Sequence, residues 1–262
     1  MSVESVYPSV LALSASLAAG LVGGFALMRR MSLAGDAVSH IALPGLGIAL
    51  LLGIHPLVGA AITLLLGAVL IWRLERQTGL DTQTVVGVVF TASLALGGLL
   101  TPSEDLIAAL FGGFRGLSTL EFVLALGLTV AILIALRHWK DQFILNLFSS
   151  ELASATGLNR SRIDLVFSLI FTMTILVGLR FLGTLLAGAL VVIPAAVARQ
   201  WTSRLSPFLG ISALISIGSV AFGMALAANL RLSQGPAVVA VAAGAFVFSL
   251  LVRGRLQTLP TP

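Results

Sequence analysis

The 262 residues are 58% hydrophobic and only 10% charged, with a mean hydropathy of +1.10, where a soluble domain carries about 25% charged residues; a soluble core of this length has no room for that apolar mass, whereas a bilayer accepts it. The formal net charge of +5 is almost all arginine, Lys140 being the sole lysine, and because the arginines gather at the ends of apolar runs they report membrane topology rather than nucleic-acid binding. The absence of cysteine excludes disulfides, thiolate metal sites and a cysteine nucleophile.

The N-terminus has no basic region ahead of its first apolar run and carries Glu4 there, which argues against a cleaved signal. Apolar stretches then follow at roughly 10–28, 33–53, 57–72, 85–100, 120–136, 165–179, 182–198, 208–228 and 237–252. Several fall short of the ~20 residues that a perpendicular span needs. The seventh is the weakest, because only Arg180 and Phe181 part it from the sixth. The expectation is an all-α, polytopic membrane protein, one transmembrane domain over residues 1–262, with about nine helices, or eight if two segments merge.

Charge sets the orientation. With the N-terminus outside and the C-terminus inside, the inner ends and loops hold 12 of the 15 basic residues, leaving Arg115, Arg180 and Arg231 outside; the reverse orientation inverts that count. The largest inner loop falls at about 137–164. Within it Ser150 is placed to cap a short helix through Glu151 and Ala155, with Gly157 as the terminating left-handed residue. Such a helix either docks against a partner or lies on the membrane surface.

The run Met31-Ser32-Leu33-Ala34-Gly35-Asp36-Ala37-Val38-Ser39-His40-Ile41-Ala42-Leu43-Pro44-Gly45 is the most informative. Asp36 and His40 are four apart, so they share a helix face. A carboxylate well inside an apolar span costs up to roughly 2.5–3.5 kcal/mol and should face protein, water or an ion. Carboxylate plus imidazole suits zinc, manganese or ferrous iron, and a twofold dimer would turn two donors into four. The competing reading is that Asp36 caps the helix start and His40 bonds a neighbouring helix. Pro44 removes the N–H that would bond the His40 carbonyl, so a bend is expected there. Pro194 does the same to Leu190 in the seventh segment, where a broken helix serves binding or gating, or plain bending. His55, beside Pro56, reads as an exposed turn histidine, and the GxxxG pair Gly20 and Gly24 reads as close helix packing. With no GxxxxGK[ST], GxSxG or HExxH, the chain has neither a phosphate loop nor a hydrolase constellation.

Three blocks resemble the permease subunits of zinc- and manganese-type ABC importers, the ZnuB- or MntB-like family. They are Arg29 to Gly45, the segment Glu151-Leu152-Ala153-Ser154-Ala155-Thr156-Gly157-Leu158, and Gly183-Thr184-Leu185-Leu186-Ala187-Gly188-Ala189-Leu190-Val191-Val192-Ile193-Pro194-Ala195-Ala196. The resemblance implies a multi-pass permease in a bacterial cell membrane that is not itself an enzyme. It pairs with a second copy or close homologue, a cytoplasmic ABC ATPase that binds ATP, and an extracytoplasmic metal-binding protein. It also implies Asp36 and His40 as metal-coordinating residues for transported zinc, manganese or iron, with no permanently bound cofactor. Glu151, Ala153, Ala155, Gly157 and Leu158 would form the coupling helix. A permease for a metal chelate, a gradient-driven secondary transporter and a purely structural membrane subunit are the alternatives.

Overall fold

A computed structural model describes residues 3–31, 33–101, 118–148 and 156–257. Among these described residues ten helices follow in order: α1 (Val3–Met28), α2 (Ala34–His40), α3 (Ala42–Leu51), α4 (Pro56–Thr78) and α5 (Thr82–Leu100), then α6 (Thr119–Phe148), α7 (Arg160–Leu182), α8 (Thr184–Trp201), α9 (Leu205–Leu230) and α10 (Gln234–Gln257). No strand occurs among the described residues. Among the described residues, eight apolar helical stretches are long enough to cross a membrane, α2 and α3 together counting as one. The α8 stretch, Ala187–Trp201, is shorter, in keeping with the weak seventh segment of the sequence.

Three boundaries differ from the sequence reading, each for a local reason. The second span is interrupted at Ile41, whose N–H reaches back only to Val38 (3.0 Å). That is three residues ahead of Pro44, where the ring forbids the next full helical turn. Helix α6 runs on to Phe148, because Leu136 and Phe143 stay buried on one face while Trp139 packs between them. The stretch between α6 and α7 is therefore 149–159 rather than the whole of 137–164. Finally, Arg180 and Phe181 lie inside α7, and the junction with α8 is the single residue Gly183 (φ 74°, ψ 177°). A positive φ of that kind suits glycine best.

Helix α1 is central, packing on α6, α7, α8 and α9. Its glycines are contact points, as the packing reading expects: a Cβ on Gly20 would lie 2.7 Å from the Ala213 Cα, and one on Gly23 would lie 1.9 Å from the Val191 carbonyl oxygen. Helices α3 and α4 meet the same way, Gly45 and Gly59 each lying against the other's carbonyl. In lipid, where apolar burial gives helices no drive to associate, this closeness is what dispersion contacts need. Large apolar side chains such as Leu99, Leu124, Leu214, Phe222 and Phe248 stay exposed, as expected of faces turned to hydrocarbon. The Asp81 side chain caps α5, accepting from the Thr84 N–H (3.1 Å) and hydroxyl (2.6 Å).

Candidate functional site

The path into α2 is set by the end of α1. The Met31 N–H bonds the Ala26 carbonyl (2.9 Å) and the Arg30 N–H bonds that of Leu27 (3.1 Å), with Arg30 left-handed at φ 60°; this is the Schellman arrangement, here without a glycine. The chain reverses and α2 starts inside the protein. Gly188 of α8 lies against Asp36, and Val191, one turn on, lies against Gly23, itself five residues before the end of α1. At 1.5 Å per residue, Asp36 sits roughly 12 Å from the level of Met28.

At that depth the two candidate donors differ sharply. The Asp36 side chain is 59% exposed in the single protomer, whereas that of His40 is 8% exposed and its ring lies 5.4 Å from that of Phe90 on α5. The His40 Nε2 is 3.9 Å from an Asp36 oxygen, beyond hydrogen-bond range. Its buried Nδ1 has no hydrogen-bond partner among the described residues. Neither half of the purely structural reading is met: the α2 N-cap position is Leu33, with no side-chain cap bond, and His40 bonds no neighbouring helix. Two bonds of about 2.0–2.2 Å span the gap between these atoms, as zinc forms with nitrogen and carboxylate oxygen. No group of three or more His, Cys, Asp or Glu able to hold a metal occurs among the described residues. Among the described residues of one protomer, the candidate site comes to the pair Asp36 and His40.

The backbone around the pair is held by α8. Ser39, fully buried, donates to the Thr184 carbonyl (2.5 Å) and lies 2.6 Å from that of Asp36. Pro194 is buried inside α8, which is continuous across it.

At the end of the bundle where α1 finishes, Asp164 of α7 is a hub. It accepts from Arg29 (3.1 Å) and from the Asn146 amide (2.9 Å), with the Arg160 Nε 3.8 Å away. The Arg29 guanidinium also lies 4.3 Å from the centre of the Phe167 ring. Burial disfavours its charge and lowers its pKa, an effect that Asp164 offsets in part. Trp72 of α4 donates to the Ser161 carbonyl (2.9 Å). A cavity of about 1180 Å³ opens among these helices and reaches Val38 of α2. Of the sequence-derived coupling residues, Glu151, Ala153 and Ala155 lie outside the described residues. Gly157 is left-handed (φ 74°) as anticipated, and Leu158 packs on the core. At the opposite end, His55 is paired with Glu121 (2.7 Å) rather than free in its turn, beside stacked Tyr7 and Phe122.

A family model described as the ABC 3 transport family matches residues 5–253. The chain belongs to that family. It is 28% identical to the manganese import system permease protein ScaB of Streptococcus gordonii, over 95% of this chain and 91% of that one. It is 33% identical to the zinc transport system membrane protein TroC of Treponema pallidum, over 93% and 88% respectively. Among solved structures, PsaBC from Streptococcus pneumoniae in complex with Fab is similar at a TM-score of 0.79 and 27% identity, covering 92% of this chain and 88% of that chain. This ABC 3 member is thus a multi-pass membrane permease subunit, as its sequence led one to expect. The Asp164 hub, the Ser39–Thr184 bond and the His55–Glu121 pair escaped sequence reasoning, since each joins residues far apart in the chain with no periodic signal.

Proposed function

We propose that this chain is the permease of an ATP-driven importer of a divalent transition-metal ion, with Asp36 and His40 contacting the ion in transit. One observation carries the site: a carboxylate and an imidazole roughly 12 Å inside the bundle, 3.9 Å apart, with the carboxylate left open on the protomer surface. A carboxylate open at that depth faces another subunit or a water-filled path rather than lipid, and either suits a residue on the route of an ion. A second copy, or a close homologue, related by a twofold axis would bring another pair and raise the donors to four. The names of the relatives support manganese or zinc as cargo; ferrous iron shares the donor chemistry.

The end bearing Arg29, Arg76, Arg160 and Arg199 is cytoplasmic on this reading, by the positive-inside tendency. Energy comes from a separate ABC ATPase docked on the stretch between α6 and α7, including Gly157 and Leu158. An extracytoplasmic metal-binding protein delivers the ion at the His55 end. The test is uptake of manganese, zinc and ferrous iron by proteoliposomes holding the permease with its ATPase and delivery protein. Asp36→Ala and His40→Ala should each abolish uptake while the protein still inserts and binds the ATPase. Wild-type uptake by either variant would end the assignment, and uptake driven by an ion gradient without ATP would return it to the secondary transporters.

A further inference from the structure

We infer that Gly188 and Ser39 are positioning residues for the Asp36 carboxylate, so that the first turns of α8 determine how well the metal is held. This rests on the reading of Asp36 and His40 as the transit site. Two of the contacts between α8 and α2 lie one turn apart on α8. At Gly188, an added Cβ would stand 2.4 Å from the Asp36 nitrogen, 2.5 Å from the Gly35 carbonyl carbon and 2.6 Å from the Asp36 Cα. All three are backbone atoms, so no rotamer change relieves the clash. At Thr184, the carbonyl accepts the Ser39 hydroxyl, and both residues are fully buried. The Gly183 junction makes the geometry possible: with one residue between α7 and α8, the first carbonyl of α8 lies level with Ser39.

Asp36 is thereby pinned on its backbone side while its side chain stays open on the other. The contact is also lopsided. A Cβ on Gly35 would meet the Gly188 oxygen at 3.3 Å and its Cα at 3.4 Å, a gap that yields by a few tenths of an ångström. Alanine at 188 must therefore push Asp36 away, whereas alanine at 35, in the same contact, need not. Ligand-supporting groups of this kind typically matter about 10–100-fold in metal affinity.

The experiment measures uptake against Mn²⁺ or Zn²⁺ concentration in proteoliposomes of the full permease with its ATPase and delivery protein. Gly188→Ala and Ser39→Ala should each raise the half-saturating metal concentration about tenfold or more. ATP hydrolysis by the assembled complex should persist, and Gly35→Ala should stay within about threefold of wild type. Wild-type half-saturation in both Gly188→Ala and Ser39→Ala, when Asp36→Ala has lost uptake, overturns this inference and leaves the site standing. An Asp36→Ala chain that still transports removes the site itself. An effect of Gly35→Ala equal to that of Gly188→Ala assigns the contact to general helix packing and also overturns it. Should Gly188→Ala not assemble, Ser39→Ala and Gly35→Ala decide the matter.

Discussion

Replacing Asp164 with alanine tests whether one carboxylate holds the inner end together. Arg29 is 13% exposed and one of its terminal nitrogens already has no partner among the described residues. Without Asp164 it keeps the faces of Phe167 and Phe143 and the more distant charge of Glu75, and the Asn146 amide loses its acceptor. Breaking a buried pair from one side costs about 3–5 kcal/mol. Asp164 is itself 32% exposed, so water reaches the stranded charge, and the ring contacts retain about 1 kcal/mol; the net loss is about 2–3 kcal/mol. For a chain of this size that lowers Tm by about 4–12 °C, readable by scanning fluorimetry on the three tryptophans in lipid nanodiscs. Adding Arg29→Met removes the stranded cation and should recover at least half of the loss. A D164A melt that overlays wild type, or a double variant no better than D164A alone, would refute the reasoning.

Two further outcomes follow from the packing. Gly45→Ala places a methyl 2.1 Å from the Gly59 carbonyl oxygen and should destabilise by about 1–3 kcal/mol or more, whereas Gly98→Ala, with nothing within 4 Å of its would-be Cβ, should leave the same melt unchanged. The Asp81 carboxyl is held below its ordinary pKa by the Thr84 hydroxyl and N–H. Its contribution is therefore complete above the ordinary carboxylate range and is lost as acidification passes through that range and below. The protection of amides at the start of α5, measured as exchange relative to the unstructured rate at the same pH, should fall on acidification in the wild type and be low throughout in Asp81→Ala.

The spans were legible because hydrocarbon demands long apolar runs, and even the weakness of the seventh was visible from the two residues, Arg180 and Phe181, that part it from the sixth. Asp36 and His40 were legible for the converse reason: polar groups in such a run stand out, and their spacing puts them on one face. What resisted was anything depending on partners distant in sequence. Phe143 looked like a loop residue until Phe25 and Phe167 were seen to pack on its ring. Asp164 sat among other charges with nothing to distinguish it before Arg29 and Asn146 converged on it. Gly188 was one of 27 glycines, and only the backbone of Asp36 beside it tells it apart from the rest.

The open face of Asp36 also bears on how such a subunit is made. In a protomer alone the Asp36 side chain is 59% exposed; wherever that face meets lipid the cost is up to roughly 2.5–3.5 kcal/mol, and a partner that covers it removes that cost. A surplus subunit, synthesised beyond the supply of partners, therefore carries its own mark of incompleteness. Penalties of this size change how much of a protein survives cellular triage several-fold. On the proposed reading, the residue that serves the cargo would also keep the number of subunits in the membrane matched to the number that have paired.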